Sequence, residues 1–114
     1  MTQINKIKPV SPKLINNHLA QAYGLYPDQI NHMLVKLRQS FAKQLEEAEQ
    51  GLSGGDMERV SAAAHTLKGI LLNFGLDDLV NIVSELEIQA KSGKPNVDMN
   101  EMVKVLRNAL QPLL

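Results

Sequence analysis

Ala62-Ala-Ala-His-Thr-Leu-Lys-Gly-Ile-Leu-Leu-Asn-Phe-Gly-Leu76 is the stretch on which the reading of this chain turns. Neither glycine nor proline interrupts Met57–Lys68, and apolar residues recur at helical spacing, which predicts a helix from about Asp56 to Phe74. With each residue turned by ~100° about the axis and His65 at ~0°, Ile70, Ala63, Phe74, Leu67, Val60 and Leu71 fall between ~140° and ~240°. This continuous apolar stripe is the predicted buried face. His65 stands opposite it, on a side shared with Glu58, Ser61, Ala62, Lys68, Gly69 and Leu72.

A lone histidine on a helix is usually solvated surface, but Gly69 argues for more. A mid-helix glycine costs ~1 kcal/mol relative to alanine, and close packing of helices is the usual reason for one. Gly69 points away from the apolar stripe, so core packing explains it poorly. One turn beyond His65, a residue without a side chain leaves clearance beside the imidazole. Lys68 lies on the same face, three residues from His65, and can reach an anion held at the ring. Leu72 is a large apolar side chain amid the polar face. Chance exposure of one leucine is ordinary, yet beside an exposed histidine it also suits a docking patch.

His65-Thr-Leu-Lys68-Gly69, with Gly75 ten residues after the histidine, resembles the signature of histidine-containing phosphotransfer (HPt) domains. Ala62-Ala63-Ala64 before the histidine and Asn73-Phe74-Gly75-Leu76 after it fit the same pattern. The resemblance implies that His65 accepts a phosphoryl group from an aspartyl phosphate on a response-regulator receiver domain and passes it on. It implies further that Lys68 stabilises phosphoryl charge, while Gly69, Leu72, Ala62, Ser61 and Glu58 give clearance and partner contact. The expected partners are a receiver domain and a hybrid sensor histidine kinase, with Mg²⁺ on the receiver and no cofactor on this chain. One departure is visible. Where the family usually has small residues soon after the glycine, this chain has Ile70-Leu71-Leu72, and Leu72 is the one on the contact side.

Composition narrows the field. A chain of 114 residues is expected to form one domain with a single core. Cysteine is absent, which excludes a disulfide framework and a thiolate metal site. Twelve basic and twelve acidic residues cancel, which argues against nucleic acid or an anionic membrane as the main partner. Aromatic residues make up 4% of the chain, too few for a base-stacking surface. No apolar run approaches the ~20 residues of a membrane span, and the start of the chain lacks an apolar signal segment. The expectation is a soluble, cytoplasmic, monomeric protein.

Along the chain, Met1–Val10 reads as a flexible tail and residues 11–114 as the helical domain. Ser11-Pro12 opens a short helix that ends near Tyr23-Gly24, with Leu14, His18 and Ala22 on one face. Pro27 and Asp28 open the next. Its stripe of Ile30, Leu34, Leu37, Phe41, Leu45 and Ala48 runs to about Gln50, followed by a turn at Gly51, Gly54 and Gly55. Lys36, Lys43 and Arg38 flank this stripe and are candidates to bring a cation near His65. Asp56 caps the histidine helix and Gly75 ends it. Asp77 or Asp78 starts a fourth helix, on Leu79, Ile82, Val83, Leu86 and Ala90, that lasts until Ser92-Gly93. Lys94-Pro95-Asn96 breaks the chain, and Asp98 caps a last helix on Met102, Val103, Leu106, Leu110 and Leu113, frayed by Pro112. The whole predicts an all-α fold, an antiparallel four-helix bundle with a short additional N-terminal helix.

Other functions fit less well. His18, His32 and His65 fall on separate helices with no His or Glu at ligand spacing, against a metal site. No phosphate-cradling loop or ATP-binding motif is present, and the nearest acid on the His65 face is Glu58, two turns away. With these set aside, the resemblance implies a phosphocarrier without an active site of its own. The alternative is a non-catalytic helical-bundle adaptor that binds a signalling protein through the His65/Leu72 face.

Overall fold

The computed structural model describes residues 9–93 and 97–114. Helix α1 spans Pro12–Tyr23, α2 Pro27–Gly54, α3 Met57–Asn73, α4 Asp77–Lys91 and α5 Val97–Leu110, with a 3-10 turn over Gln111–Leu113. Each start follows from the orphan N–H groups of a first helical turn. Ser11 Oγ accepts from Leu14 N–H ahead of Pro12, and Asp56 accepts from Arg59 N–H. At the head of α2 the Gln29 side chain reaches back to the Tyr26 N–H at 2.9 Å. The chain reverses at Gly24, Gly55, Gly75 and Gly93, all with positive φ.

The four longer-range helices α2 to α5 make the antiparallel bundle, and α1 is the additional N-terminal helix. α2 alone, at ~1.5 Å per residue, is nearly as long as the molecule's 44 Å principal axis. The core runs between the helices through Phe41, Leu45, Val60, Leu67, Leu71, Leu86, Met99 and Leu106, all fully buried. Leu67 and Phe74 are buried as their side of the wheel requires, whereas Ile70 at the edge of the stripe is half-buried. Arg59 grips Glu47 through two nitrogens at 2.8 and 2.9 Å, and Arg107 grips Glu49 at 2.6 and 2.7 Å. These bidentate pairs tie α3 and α5 to α2 in a geometry only arginine supplies. Among the described residues no helix is long and apolar enough to cross a membrane.

Local readings are corrected at four places. Gly51 is not in the turn: α2 continues through it to Gly54, because Gly51 is the point where α3 crosses. A Cβ there would stand 2.8 Å from Val60 Cγ2 and 3.1 Å from the backbone of Asp56 and Val60. In α1 the buried residues are Ile15 and Leu19, with Leu14 exposed and His18 half-buried. His18 packs on Gly75 in the α3–α4 turn and meets Tyr23 edge-on at 6.1 Å. Tyr23 in turn donates to the Asn73 carbonyl at 3.1 Å, so α1 is fastened over the C-terminal end of α3. Asp98 lies within the first turn of α5 rather than ahead of it, where it still favours the positive helix end. Pro112 does not fray the chain but sits in the 3-10 turn that buries Leu113. The breaker Lys94-Pro95-Asn96 and most of the tail assigned to residues 1–10 lie outside the described residues. Within that tail Val10 donates its N–H to the Ala109 carbonyl at 2.8 Å.

Candidate functional site

α3 turns Ala63, Ala64, Leu67 and Leu71 into the core and leaves His65 on the outside, its side chain 73% exposed. α4 packs antiparallel along α3 and delivers Glu87 to the ring. The Glu87 side chain is only 6% exposed, so its charge must be compensated locally. Three nitrogens do this. Lys68 Nζ lies 2.9 Å from Oε1, while His65 Nδ1 and Lys91 Nζ each lie 3.1 Å from Oε2. The Lys68 hydrogen bond is the largest influence on the carboxyl, burial opposes it, and Lys91 and His65 reinforce it. Together they hold Glu87 down to about 2, from an ordinary 4.5.

The charge on Glu87 decides which ring nitrogen is the donor toward it. An ionised carboxylate can only accept, so Nδ1 of His65 is the donor and carries the proton. In the neutral form of this exposed ring the lone pair is then on Nε2, where it can act as a nucleophile. Clearance is present where the wheel places it: a Cβ on Gly69 would meet nothing within 4 Å. Helix packing is therefore not the reason for this glycine.

The remaining residues of the face separate into two groups. Glu58, Ser61 and Ala62 line an open groove of about 820 Å³ together with His65, Glu87 and Lys91. Gly69 and Leu72 lie beyond the ring in the other direction along α3, Leu72 being 56% exposed. Thr66 is turned to its own helix, its hydroxyl donating to the Ala62 carbonyl at 3.1 Å. Lys68 faces the ring side as read, but it is half-buried because Glu87 draws it in.

Two participants were not legible from the motif. The extra cation comes from Lys91 on α4, not from Lys36, Arg38 or Lys43 on α2, because α4 is the helix that flanks the His65 side. Glu87 itself was overlooked. Measured from Leu79, it falls at ~80° on the α4 wheel, at the margin of the apolar stripe. A carboxylate at a core margin, one turn before a lysine, was the available signal. Among the described residues no group of three or more His, Asp or Glu is placed to hold a metal ion.

Comparison with known proteins adds one finding. No curated protein matches the chain, and no solved structure does. A family model described as Hpt domain, however, matches residues 32–114, which takes in α3, α4 and α5 entire and most of α2. With most of the bundle and every residue of the Glu87 cluster inside that match, the chain belongs to the Hpt domain family, whose members carry phosphoryl groups in phosphorelay signalling.

Proposed function

We propose that this chain takes a phosphoryl group onto His65 Nε2 from the aspartyl phosphate of a response-regulator receiver domain, and passes it on to another. The observation that carries this reading is the pairing of an exposed ring with a buried, ionised Glu87, which fixes the proton on Nδ1. The Nε2 lone pair attacks phosphorus while the P–O bond to the aspartyl carboxylate breaks and its electron pair returns to that carboxylate. The ring keeps its Nδ1 proton and becomes a phosphorylated imidazolium, whose positive charge faces Glu87. Transfer onward reverses these bond changes. Lys68 offsets charge on the phosphoryl oxygens. Mg²⁺ and the remaining catalysis come with the receiver, and a hybrid sensor kinase is the upstream source of phosphate.

The contact surface runs along α3 on both sides of His65, with Glu58, Ser61 and Ala62 in the groove and Gly69 and Leu72 beyond the ring. Leu72, large and exposed, also suits the adaptor reading, in which the histidine is incidental. One experiment separates the two. Incubation with a phosphorylated receiver domain should place acid-labile, alkali-stable label on the wild-type chain. His65→Gln should abolish that label and leave the fold intact, because the side chain is exposed and the glutamine amide can still donate toward Glu87. Undiminished labelling of His65→Gln would refute the carrier.

A further inference from the structure

The chain carries no net charge, yet its charges are sorted along the helices. Residues 30–45 of α2 include no acid, and neither do residues 62–73 of α3. The acids gather elsewhere: Glu46, Glu47 and Glu49 at the far end of α2, Asp56 and Glu58 at the start of α3, and Asp77, Asp78, Glu85 and Glu87 on α4. Within the acid-free part of α2, Lys36 and Lys43 are exposed, and neither forms an ion pair among the described residues. Lys43 stands one turn before Glu47, but Arg59 takes both oxygens of that carboxylate.

The Arg59–Glu47 pair fixes where these lysines stand. With Ile30 at ~0° on the α2 wheel, Gly51 faces α3 at ~300°, and Glu47, Lys36 and Lys43 follow on one flank at ~260°, ~240° and ~220°. Glu47 reaches across to Arg59, which lies at ~120° on the α3 wheel, between the buried stripe and the exposed side of Ala62 and Gly69. The lysine flank of α2 therefore adjoins the exposed face of α3, on the side away from α4. Antiparallel helices of equal rise then put Lys43 level with Ala63 and Lys36 level with Ile70. His65 falls between those two levels. Toward α2 its ring looks over Ala62, Thr66 and Gly69, none of which stands tall.

We propose that Lys36 and Lys43 steer the partner: they attract the acidic rim of the receiver's phosphorylation pocket and set its approach over the α2 shoulder of α3. The proposal rests on the carrier reading and deepens it. An aspartyl phosphate that works with Mg²⁺ sits among oxygen ligands, for which carboxylates are the usual protein source. The surface that must arrive at His65 is therefore anionic. On the other shoulder, Lys68 and Lys91 are engaged by Glu87. The α2 lysines have no such anion, so their charge acts outward, over a Debye length of about 8 Å at physiological salt. A field of this kind raises the rate of encounter and fixes orientation, while bond making is left to His65.

Transfer kinetics test this, with a phosphorylated receiver domain that labels the wild-type chain as the donor. The double variant Lys36→Glu/Lys43→Glu should lower kcat/KM about ten-fold at low salt. Its kcat should be retained and its melt should stay near that of wild type, since both side chains are exposed. Added salt should narrow the gap between the two proteins. Lys13→Glu/Lys104→Glu makes the same change in net charge at exposed positions on α1 and α5, and should transfer like wild type. An unchanged kcat/KM in the α2 variant overturns the proposal. So does an equal loss in the Lys13/Lys104 variant, which would make net charge rather than this flank responsible. A fall in kcat at constant KM overturns it as well, because the lysines would then act on the bond-making step. Failure of the wild-type chain to take label on His65 from any receiver would overturn the carrier reading itself, and the proposal with it.

Discussion

Gly51 and Gly69 are both glycines inside α-helices, and by helix propensity alone they are the same weakness, ~1 kcal/mol each relative to alanine. Their surroundings are opposite. Gly51 is buried under Val60 where α2 and α3 cross, with no room for a methyl group. Gly69 faces open space beside His65. The first glycine lets two backbones approach and so belongs to the fold. The second gives the fold nothing and keeps the ring accessible. The same residue type is thus used for packing at one crossing and for access to a nucleophile at the other.

The largest effect that can break this comparison is at the crossing. Gly51→Ala should lose about 1–3 kcal/mol from overpacking, since two of the three nearest atoms are backbone and cannot swing aside. That outweighs the better helix propensity of alanine. Urea melts measure it, and Gly51→Leu should be worse still. The folded fraction of Gly51→Ala should still take label on His65, because the crossing does not touch the ring. A Gly51→Ala protein as stable as wild type would mean that α2 and α3 are not in close contact there.

An intermediate effect lies with Glu87, the buried acid of the open face. Its folded-state pKa is depressed to about 2 from an ordinary 4.5. A depressed acid contributes stability that is fully present above its unfolded value and is lost as pH falls through the folded one. The melting temperature of the wild-type chain should therefore drop as pH is lowered from about 4.5 toward about 2. Glu87→Gln, with no charge to lose, should start lower at neutral pH and lose less over that interval. Parallel curves for the two proteins would show that Glu87 does not carry the acid sensitivity.

The contrast also shows how far the sequence could be read. His65 opposite the apolar stripe, the burial of Leu67 and Phe74, and the glycine and proline boundaries were legible because each depends on a few residues along one helix. Gly51 was misplaced into a turn because its justification is Val60, nine residues on and across a helix reversal. Glu87 was missed for the same reason, since His65, 22 residues away, and Lys68 both reach it from across a helix interface; Lys91, one turn from Glu87 on α4, was missed along with it. The buried face of α1 was misread since twelve residues support both Leu14/His18 and Ile15/Leu19 as stripes, and the burial of the second depends on parts of the chain far from α1 in sequence. Access at Gly69 was legible because the glycine's direction could be computed without knowing any neighbour.

A smaller effect is expected at Lys68. Lys68→Ala should slow phosphotransfer to His65 without eliminating it, because the ring remains exposed and Lys91 still supplies a cation. Its cost in stability should be visible as well, since Glu87 loses its closest partner. Equal transfer rates for this variant and wild type would remove Lys68 from the mechanism and leave it only the role of compensating Glu87.

The smallest change in stability, and the one of opposite sign, belongs to Gly69. Replacing it by alanine adds a methyl group that meets nothing in the folded chain. The helix-propensity gain is then unopposed, and the protein should become more stable by up to ~1 kcal/mol. Transfer should move the other way. A partner's active site must come within bonding distance of Nε2, and a side chain one turn from the ring stands in that approach. Gly69→Gln and Gly69→Leu should be slower than Gly69→Ala, in order of bulk rather than of helix propensity. Loading by phosphoramidate, a donor small enough to pass the added side chain, should change much less than transfer from a receiver domain. Melts and both transfer assays on this series decide the matter. A Gly69→Ala protein that is less stable yet accepts phosphate normally from the receiver would place this glycine with Gly51, as a packing residue, and dissolve the distinction between the two.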